Sequence, residues 1–505
     1  MFPSNPQWLI LVGTIWLQSI AGTNSDFPAY SSELKHLLSI SQVQLNNLAF
    51  ASDAGKLFGL FSGISAVYLP LSLVLMIGST IGFIGYGLQF LIIVNKISPI
   101  SYWKFFMLSV FSGNSICWIN TVSYVVIIKN FSSNHQAAVG LSTSYVGLSA
   151  KIYTDIVDAV FPSSRIKRAK AYLLLNSILP MVVSMVTAPL VREVKNGEGC
   201  RVEEGFIVIF FITIATGVYA VLGSISILSS IFSPLIRVIC MGFLLASPLF
   251  VPVVTRIKEE GRVSHLAESV DDVMKGGERI EEDCVLRMQE EIGAKVMIRK
   301  VEFWLYFFVY MFGATLGLVF SNNLGQIAES RGHSKTSLVS LSSSFVFFGR
   351  LLPSLLDYFL SNTGYMVSRS ASIVTLMVPM AGAFFLLLNT TYLTLYISTC
   401  IISICTGAIT SIAVSTTTEL FGKKNLQVNH NIVVANIPLG SFIFGYLAAI
   451  LYQRGGDGDG RCMGFECYRR TFIIWGSVCS LGTVLAFILY IRTTKTSLLN
   501  RTTLI

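Results

Sequence analysis

Asp53 and Lys56 in the run FASDAGKLFGL, and Lys151 and Asp155 in the run GLSAKIYTDIV, are charged residues inside stretches otherwise apolar enough to cross a bilayer. A charge in hydrocarbon costs roughly 2.5–3.5 kcal/mol on insertion scales, so such residues face a polar cavity or one another. Lys56 falls near the middle of its stretch and Lys151 near the middle of its own. Asp53 precedes Lys56 by three residues and Asp155 follows Lys151 by four, so each pair shares one helix face. Two chemistries are open to them. They are either self-neutralising ion pairs with a purely structural role, or two cations forming an anion site, each with an acid beside it to hand over a proton. The chain shows no nucleophile beside a base and no paired carboxylates. Its five histidines, His36, His135, His265, His333 and His430, are too scattered for a metal site. Neither an enzyme nor a cofactor is expected.

The elements that hold these residues are set by composition. Of 505 residues, 53% are hydrophobic and 12% charged, the balance of an all-α polytopic membrane protein. The net charge of +9 is spread over loops, which argues for membrane topology and against nucleic acid as a partner. Apolar stretches number about six within residues 1–191, two within 192–257 and six within 301–505. The first stretch, near 7–31, reads as a membrane span and not a cleaved leader, because no basic segment precedes it. Only the turn at Tyr68, Leu69 and Pro70 separates the second span from the third. Between the two sets of six, residues 258–300 are strongly charged and read as a cytosolic loop. Within it Val285, Met288, Ile292 and Val296 recur near helical spacing, as in a surface amphipathic helix, although a plain connector is equally consistent.

Lysine and arginine favour the side that holds both chain ends, which points to cytosolic termini; Arg165, Lys167, Arg168 and Lys170 break the pattern. The same orientation places Cys462 and Cys467, on the Gly-rich segment GGDGDGRCMGFECYRR, outside the cytosol, where a disulfide persists. A C-x4-C pair without two further ligands is half a zinc site, so no metal is expected there. Gly78, Gly82, Gly85 and Gly87 in the third span suit close helix packing.

The stretches IWLQSIAGTNSDFPAYSSELKHLLSISQVQLNNLAFASDAGKLFGLFSG, LVFSNNLGQIAES, TELFGKKN and CMGFECYRRTFIIWG together resemble the plant nodulin-like branch of the major facilitator superfamily, and within it the nuclear-fusion-defective-like group. The resemblance runs over most of the chain. It implies two six-helix bundles, here with about two additional helices, a central cavity and alternating access. The segment FFGRLLPSLLDYF looks like the superfamily's loop motif, which implies that Arg350 and Asp357, beside Gly349, form a gating latch at the cytosolic end of the tenth span. The matching place in the first half, FGLFSGISAVYLP, keeps Gly59 but has Leu60 and Val67 where charges are expected. Such bundles arise by duplication. Counted from Trp8 and Trp304, Asp26 and Asn322 fall at equal offsets. Asn24, Asp26, Asn322, Asn323 and Gln326 are then expected in the polar outer part of the cavity, unless they only cap helix ends.

The reading that follows is a secondary transporter of a small anionic organic solute. Lys56 and Lys151 contact the anion, with neutral polar help from Asn24, Asn322, Asn323 and Gln326. Asp26, Asp53 and Asp155 couple it to protons. The partners are the lipid bilayer, the solute and protons, and the chain is read as a monomer in the plasma, vacuolar or endoplasmic reticulum membrane. A receptor or nuclear-membrane fusion factor that moves no solute is the alternative.

Overall fold

The computed structural model describes residues 6–97, 101–131, 135–161, 164–194, 203–224, 232–252, 292–361, 368–422, 425–455 and 462–502. Every regular element among them is helical. Helix α1 (Pro6–Ala21) with α2 (Phe27–Leu38) makes the first crossing, and α3 (Gln42–Ala54) with α4 (Gly59–Tyr68) the second. Then come α5 (Leu71–Ile93), α6 (Tyr102–Asn130), α7 (His135–Val160) and α8 (Arg165–Thr187). Two further helices, α9 (Glu203–Leu222) and α10 (Pro234–Ala246), precede the second set. That set is α11 (Val301–Tyr310) with α12 (Leu316–Ser330), α13 (Lys335–Ser361), α14 (Arg369–Leu386), α15 (Tyr392–Phe421), α16 (Leu426–Val434) with α17 (Asn436–Arg454), and α18 (Glu466–Thr502).

Eleven of these helices, counting α11–α12 and α16–α17 as one each, are long and apolar enough to cross a membrane. The α1–α2 and α3–α4 rods and the Ser- and Thr-rich α7 are not among these eleven; α1 is a shorter apolar helix. The chain is an integral, multi-pass membrane protein. Residues 258–291, the greater part of the charged loop and of its expected amphipathic helix, lie outside the described residues; only a single turn, Ala294–Met297, follows there.

The first crossing departs from the expected uninterrupted span near 7–31. It breaks after Ala21, resumes at Phe27 and runs on to Leu38. Pro28 has no N–H to give the carbonyl of Asn24, so the helix cannot pass through this point with its ladder intact. The gap is closed locally, with Ser25 N donating to Gly22 O at 2.9 Å and Ala29 N to Asp26 O at 2.8 Å. Gly22 N also donates to Ser149 Oγ of α7, at 3.1 Å. Irregular backbone at membrane depth is stable only where protein or a cavity satisfies it, and this one borders both. The equivalent rod of the second half is interrupted too, by a π-helical turn at Met311–Thr315.

The second crossing loosens at Gly55–Phe58, a 3₁₀ turn that carries Lys56. Here α3 and α6 touch backbone to backbone. A Cβ on Gly55 would lie 2.5 Å from Asn114 N, and one on Gly113 would lie 2.7 Å from Ser52 Cα. Gly349 makes the same kind of contact with the backbone of Ile404 in α15. One apolar core lies within the second half, and another joins the first half to Phe347, Leu351 and Tyr358 of α13; the halves meet along α7 with α13, α3 with α17, and α2 with α12. The additional helices flank this seam, α10 against α7 and α9 against α13. Cys462 and Cys467 are joined by a disulfide at the head of α18.

Candidate functional site

A cavity of about 220 Å³ lies between the two halves. The broken first crossing gives it Asn24, the 3₁₀ turn gives Lys56, α12 gives Asn322 and α13 gives Arg350. Two cations, one from each half, therefore share one enclosed space.

Lys56 is held by Asp53, Nζ to Oδ1 at 2.6 Å, and the carboxylate is itself fully buried. Its second oxygen reaches the other half. Ser441 Oγ of α17 donates to Oδ2 at 2.5 Å and Asn322 Nδ2 of α12 lies 3.4 Å from it. Asp53 thus ties the cavity lysine to the seam. Arg350 is placed differently. Its Nη1 donates to the Thr143 carbonyl of α7 at 3.4 Å, its Nε has no partner, and no carboxylate lies within ion-pair distance among the described residues. Tyr124 and Tyr310 flank it on the cavity wall.

Two expected roles are corrected here. Asp357 does not pair with Arg350; both its oxygens take Arg369 Nη1, at 2.5 and 2.6 Å, tying α13 to α14. Seven residues separate Arg350 from Asp357 along α13, about two turns or 10 Å, which leaves one in the cavity and the other near the helix end. Lys151 and Asp155 do pair, at 2.6 Å, but away from the central cavity. Lys151 Nζ turns to the Gly223 carbonyl just after α9, 3.2 Å away, and Asp155 meets Arg237 of α10 at 3.4 Å. The pair faces the additional helices, which spacing along α7 could not reveal.

Of the other expected residues, Asn323 accepts from Asn46 Nδ2 at 3.2 Å across the seam. Gln326 accepts from Tyr468 OH at 3.2 Å, inside the second half. Asp26 is fully buried behind the cavity, near Tyr30, Tyr86 and Tyr153, with Oδ1 bonded to Asn176 Nδ2 at 3.2 Å and Oδ2 unpartnered. None of the three lines the central cavity. Polar residues that sequence reasoning passed over do line it, among them Asn120, Tyr124, Ser342, Thr406 and His430. Asn120 Oδ1 is buried without a partner. Their polarity within apolar spans was the available signal. Among the described residues no three His, Cys, Asp or Glu side chains are grouped as a metal site.

This architecture is that of the major facilitator transporters. It matches a bacterial homologue of the human lysosomal transporter Spinster at TM-score 0.58, with 10% identity over 97% of this chain and 98% of that one. It also matches a proton-dependent oligopeptide transporter at 0.57, with 11% identity over 96% and 98% of the two chains. The Escherichia coli xylose transporter XylE likewise gives 0.57, with 10% identity over 96% and 99%. Two of these neighbours are transporters and the other is a transporter's homologue. By sequence, the family described as Nodulin-like matches residues 7–253, and the one described as NFD4, C-terminal domain, matches residues 286–499. The chain is 37% identical to Protein NUCLEAR FUSION DEFECTIVE 4 of Arabidopsis thaliana, over 98% of its own length and 90% of the relative's. It belongs to that nodulin-like family.

Proposed function

We propose that the protein is a secondary transporter that moves a small organic anion through the central cavity by alternating access, coupled to protons. The observation that carries this reading is Arg350, a guanidinium on the cavity wall with one carbonyl for a partner and no acid. A carboxylate or phosphate supplies the charge-assisted bonds that the protein itself leaves unmade. Lys56 furnishes the second cation from the opposite half. An anion that draws Lys56 away from Asp53 leaves that carboxylate buried without its counter-ion, and a proton is the cation that the coupling proposed here would supply in its place. Asp53 is also bonded to Ser441 and Asn322 across the seam, so its protonation and the separation of the halves are linked. Asn120 Oδ1 offers an acceptor to a hydroxyl or amine on the same solute.

The test is uptake of a panel of labelled mono- and dicarboxylates into proteoliposomes under an imposed pH gradient. Arg350→Gln should lower uptake about tenfold or more, the value of one charge-assisted bond. Absence of uptake for every candidate under any pH or potential gradient sinks the proposal. The relative's name, with its reference to nuclear fusion, sets a second reading in which no solute moves. Complementation of a loss-of-function plant by the transport-dead Arg350→Gln form would favour it.

A further inference from the structure

A second cavity, of about 270 Å³, lies between α1, α7, α8 and α10, on the flank of the first half away from the central site. Its walls are apolar, with Trp16, Val182, Val186, Met241 and Leu245 among them, and among the described residues its one charged lining residue is Asp155. The Asp155 side chain is 2% exposed. Its Oδ1 is taken by Lys151 and Arg237, but its Oδ2 has no partner. The Nε of Arg237 is also buried and unpartnered. Buried polar atoms are nearly always bonded, so the acceptor left open in this ion pair calls for a group that donates to it.

Charge narrows the group. Lys151, Arg168 and Arg237 surround Asp155 and Asp158, so the carboxylates are already neutralised and a cationic head gains nothing here. An anionic head would meet the free oxygen of Asp155. A neutral hydroxyl donates to that oxygen, next to Arg237, which is bonded to the same carboxylate and precedes the lining residue Val238. Depth narrows it further. Asp155 stands five residues from the end of α7 and Arg237 three residues into α10, so the polar corner lies close to one membrane face. From there the lining runs along α10 from Val238 to Leu245, about 10 Å toward the middle of the bilayer, and continues along α8 from Leu179, about 21 Å from the α8 end that adjoins α7, to Val186 near the other end of that helix. Val182 and Val186, 43% and 57% exposed, leave its side open to lipid. Polar near the face and apolar toward the middle is the polarity of a lipid in that leaflet.

We propose that this cavity binds a membrane lipid whose only polar group is one hydroxyl, seated at the open oxygen of Asp155 with its apolar body between α8 and α10. A sterol and a long-chain alcohol share this chemistry. The test uses the full chain in phosphatidylcholine nanodiscs, photolabelled with a diazirine sterol bearing a free 3-hydroxyl and, separately, with diazirine hexadecanol. Each probe is compared with its own methyl ether. Labelling should fall on peptides holding Val182 to Val186 or Val238 to Leu245, and should drop at least fivefold for the ether, which cannot donate. Gly242→Phe should drop it equally. Gly242 borders the cavity, and a Cβ added there would meet no atom within 4 Å, so the larger side chain fills space without clashing. Labelling by only one of the two hydroxyl probes assigns that class. Labelling that is absent from these peptides, equal for hydroxyl and ether in the wild type, or indifferent to Gly242→Phe overturns the proposal, whatever the outcome of the uptake assay.

Discussion

Lys151 and Arg350 exchange the roles that their neighbourhoods in the chain suggest. A residue's place along a span gives its depth, but which way it faces is decided by the partner helices, and these are fixed only when the bundle closes. Lys151 has the depth of a cavity cation, yet its direction is set by α9 and α10. Lys56, Asn24 and Asn322 were legible because the polar turn and the polar helix that carry them can be satisfied only at the seam. The consequence is a separation of phenotypes. Lys151→Gln should leave the KM for solute unchanged but remove the nearer of the two cations on Asp155, leaving Arg237 at 3.4 Å, a loss of roughly 1.5–3 kcal/mol for one charge-assisted bond. Lys151→Met with Asp155→Leu should recover most of it, as a thermal unfolding series in detergent would show. Equal destabilisation by the single and double variants refutes the pairing. At the seam, Asp53→Asn keeps the shape and the bonds to Ser441 and Asn322 while removing the carboxylate charge. It should abolish accumulation driven by a pH gradient yet spare exchange of internal for external solute, whereas loss of both would make Asp53 a part of the fold and not of the coupling.

At the scale of the element, hydropathy was sufficient to place the spans, because about 20 consecutive apolar residues have few other stable fates. The interruptions were harder to read. The α1–α2 break needs Pro28, the turn-forming Asn24 and Asp26, and a partner for the freed amide of Gly22, and that partner, Ser149, lies far along the chain. The π-helical turn at Met311–Thr315 carries no comparable signal, and its Thr315 hydroxyl is tied to Asn436 at 2.5 Å only in the folded state. The 3₁₀ turn with Lys56 depends on α6 coming within backbone contact, which Gly55 and Gly113 permit. Adding even a small branched side chain there drives apart the two helices that set the height of Lys56. Gly113→Val should therefore lower stability by roughly 1–3 kcal/mol, the usual cost of overpacking, and depress uptake more than a lipid-facing control such as Leu73→Val. An unfolding midpoint and uptake equal to wild type would show that the helices yield at no cost.

For the whole molecule, the question is what holds the two halves together at the end where α2, α12 and α13 meet. Lys335 bridges Glu33 of the first half, at 3.6 Å, and Glu329 of the second, at 3.2 Å, and Ser32 Oγ reaches Glu329 at 3.0 Å. The Lys335 side chain is 18% exposed and Glu329 40%, so these pairs are partly screened and contribute at most about 1 kcal/mol each. Deeper in the seam, Asn46 bonds both Asn323 and the Gly445 carbonyl at 3.2 Å, and Asp53 bonds Ser441. The Asp53 bond is buried and the Asn46 bonds partly so, and together they should carry most of the closure. Lys335→Gln is accordingly expected to raise the open population at this end by about fivefold or less, since 1.4 kcal/mol corresponds to a factor of ten. Salt should mimic part of that effect in the wild type and none of it in the variant. Asn46→Ala removes two bonds at once and should act more strongly and independently of salt. The rate at which an impermeant thiol reagent, added from this face, modifies a single cysteine at Ser321 on the cavity wall reports both. A Lys335 effect exceeding that of Asn46 reverses the order and makes the exposed ion pairs the principal latch.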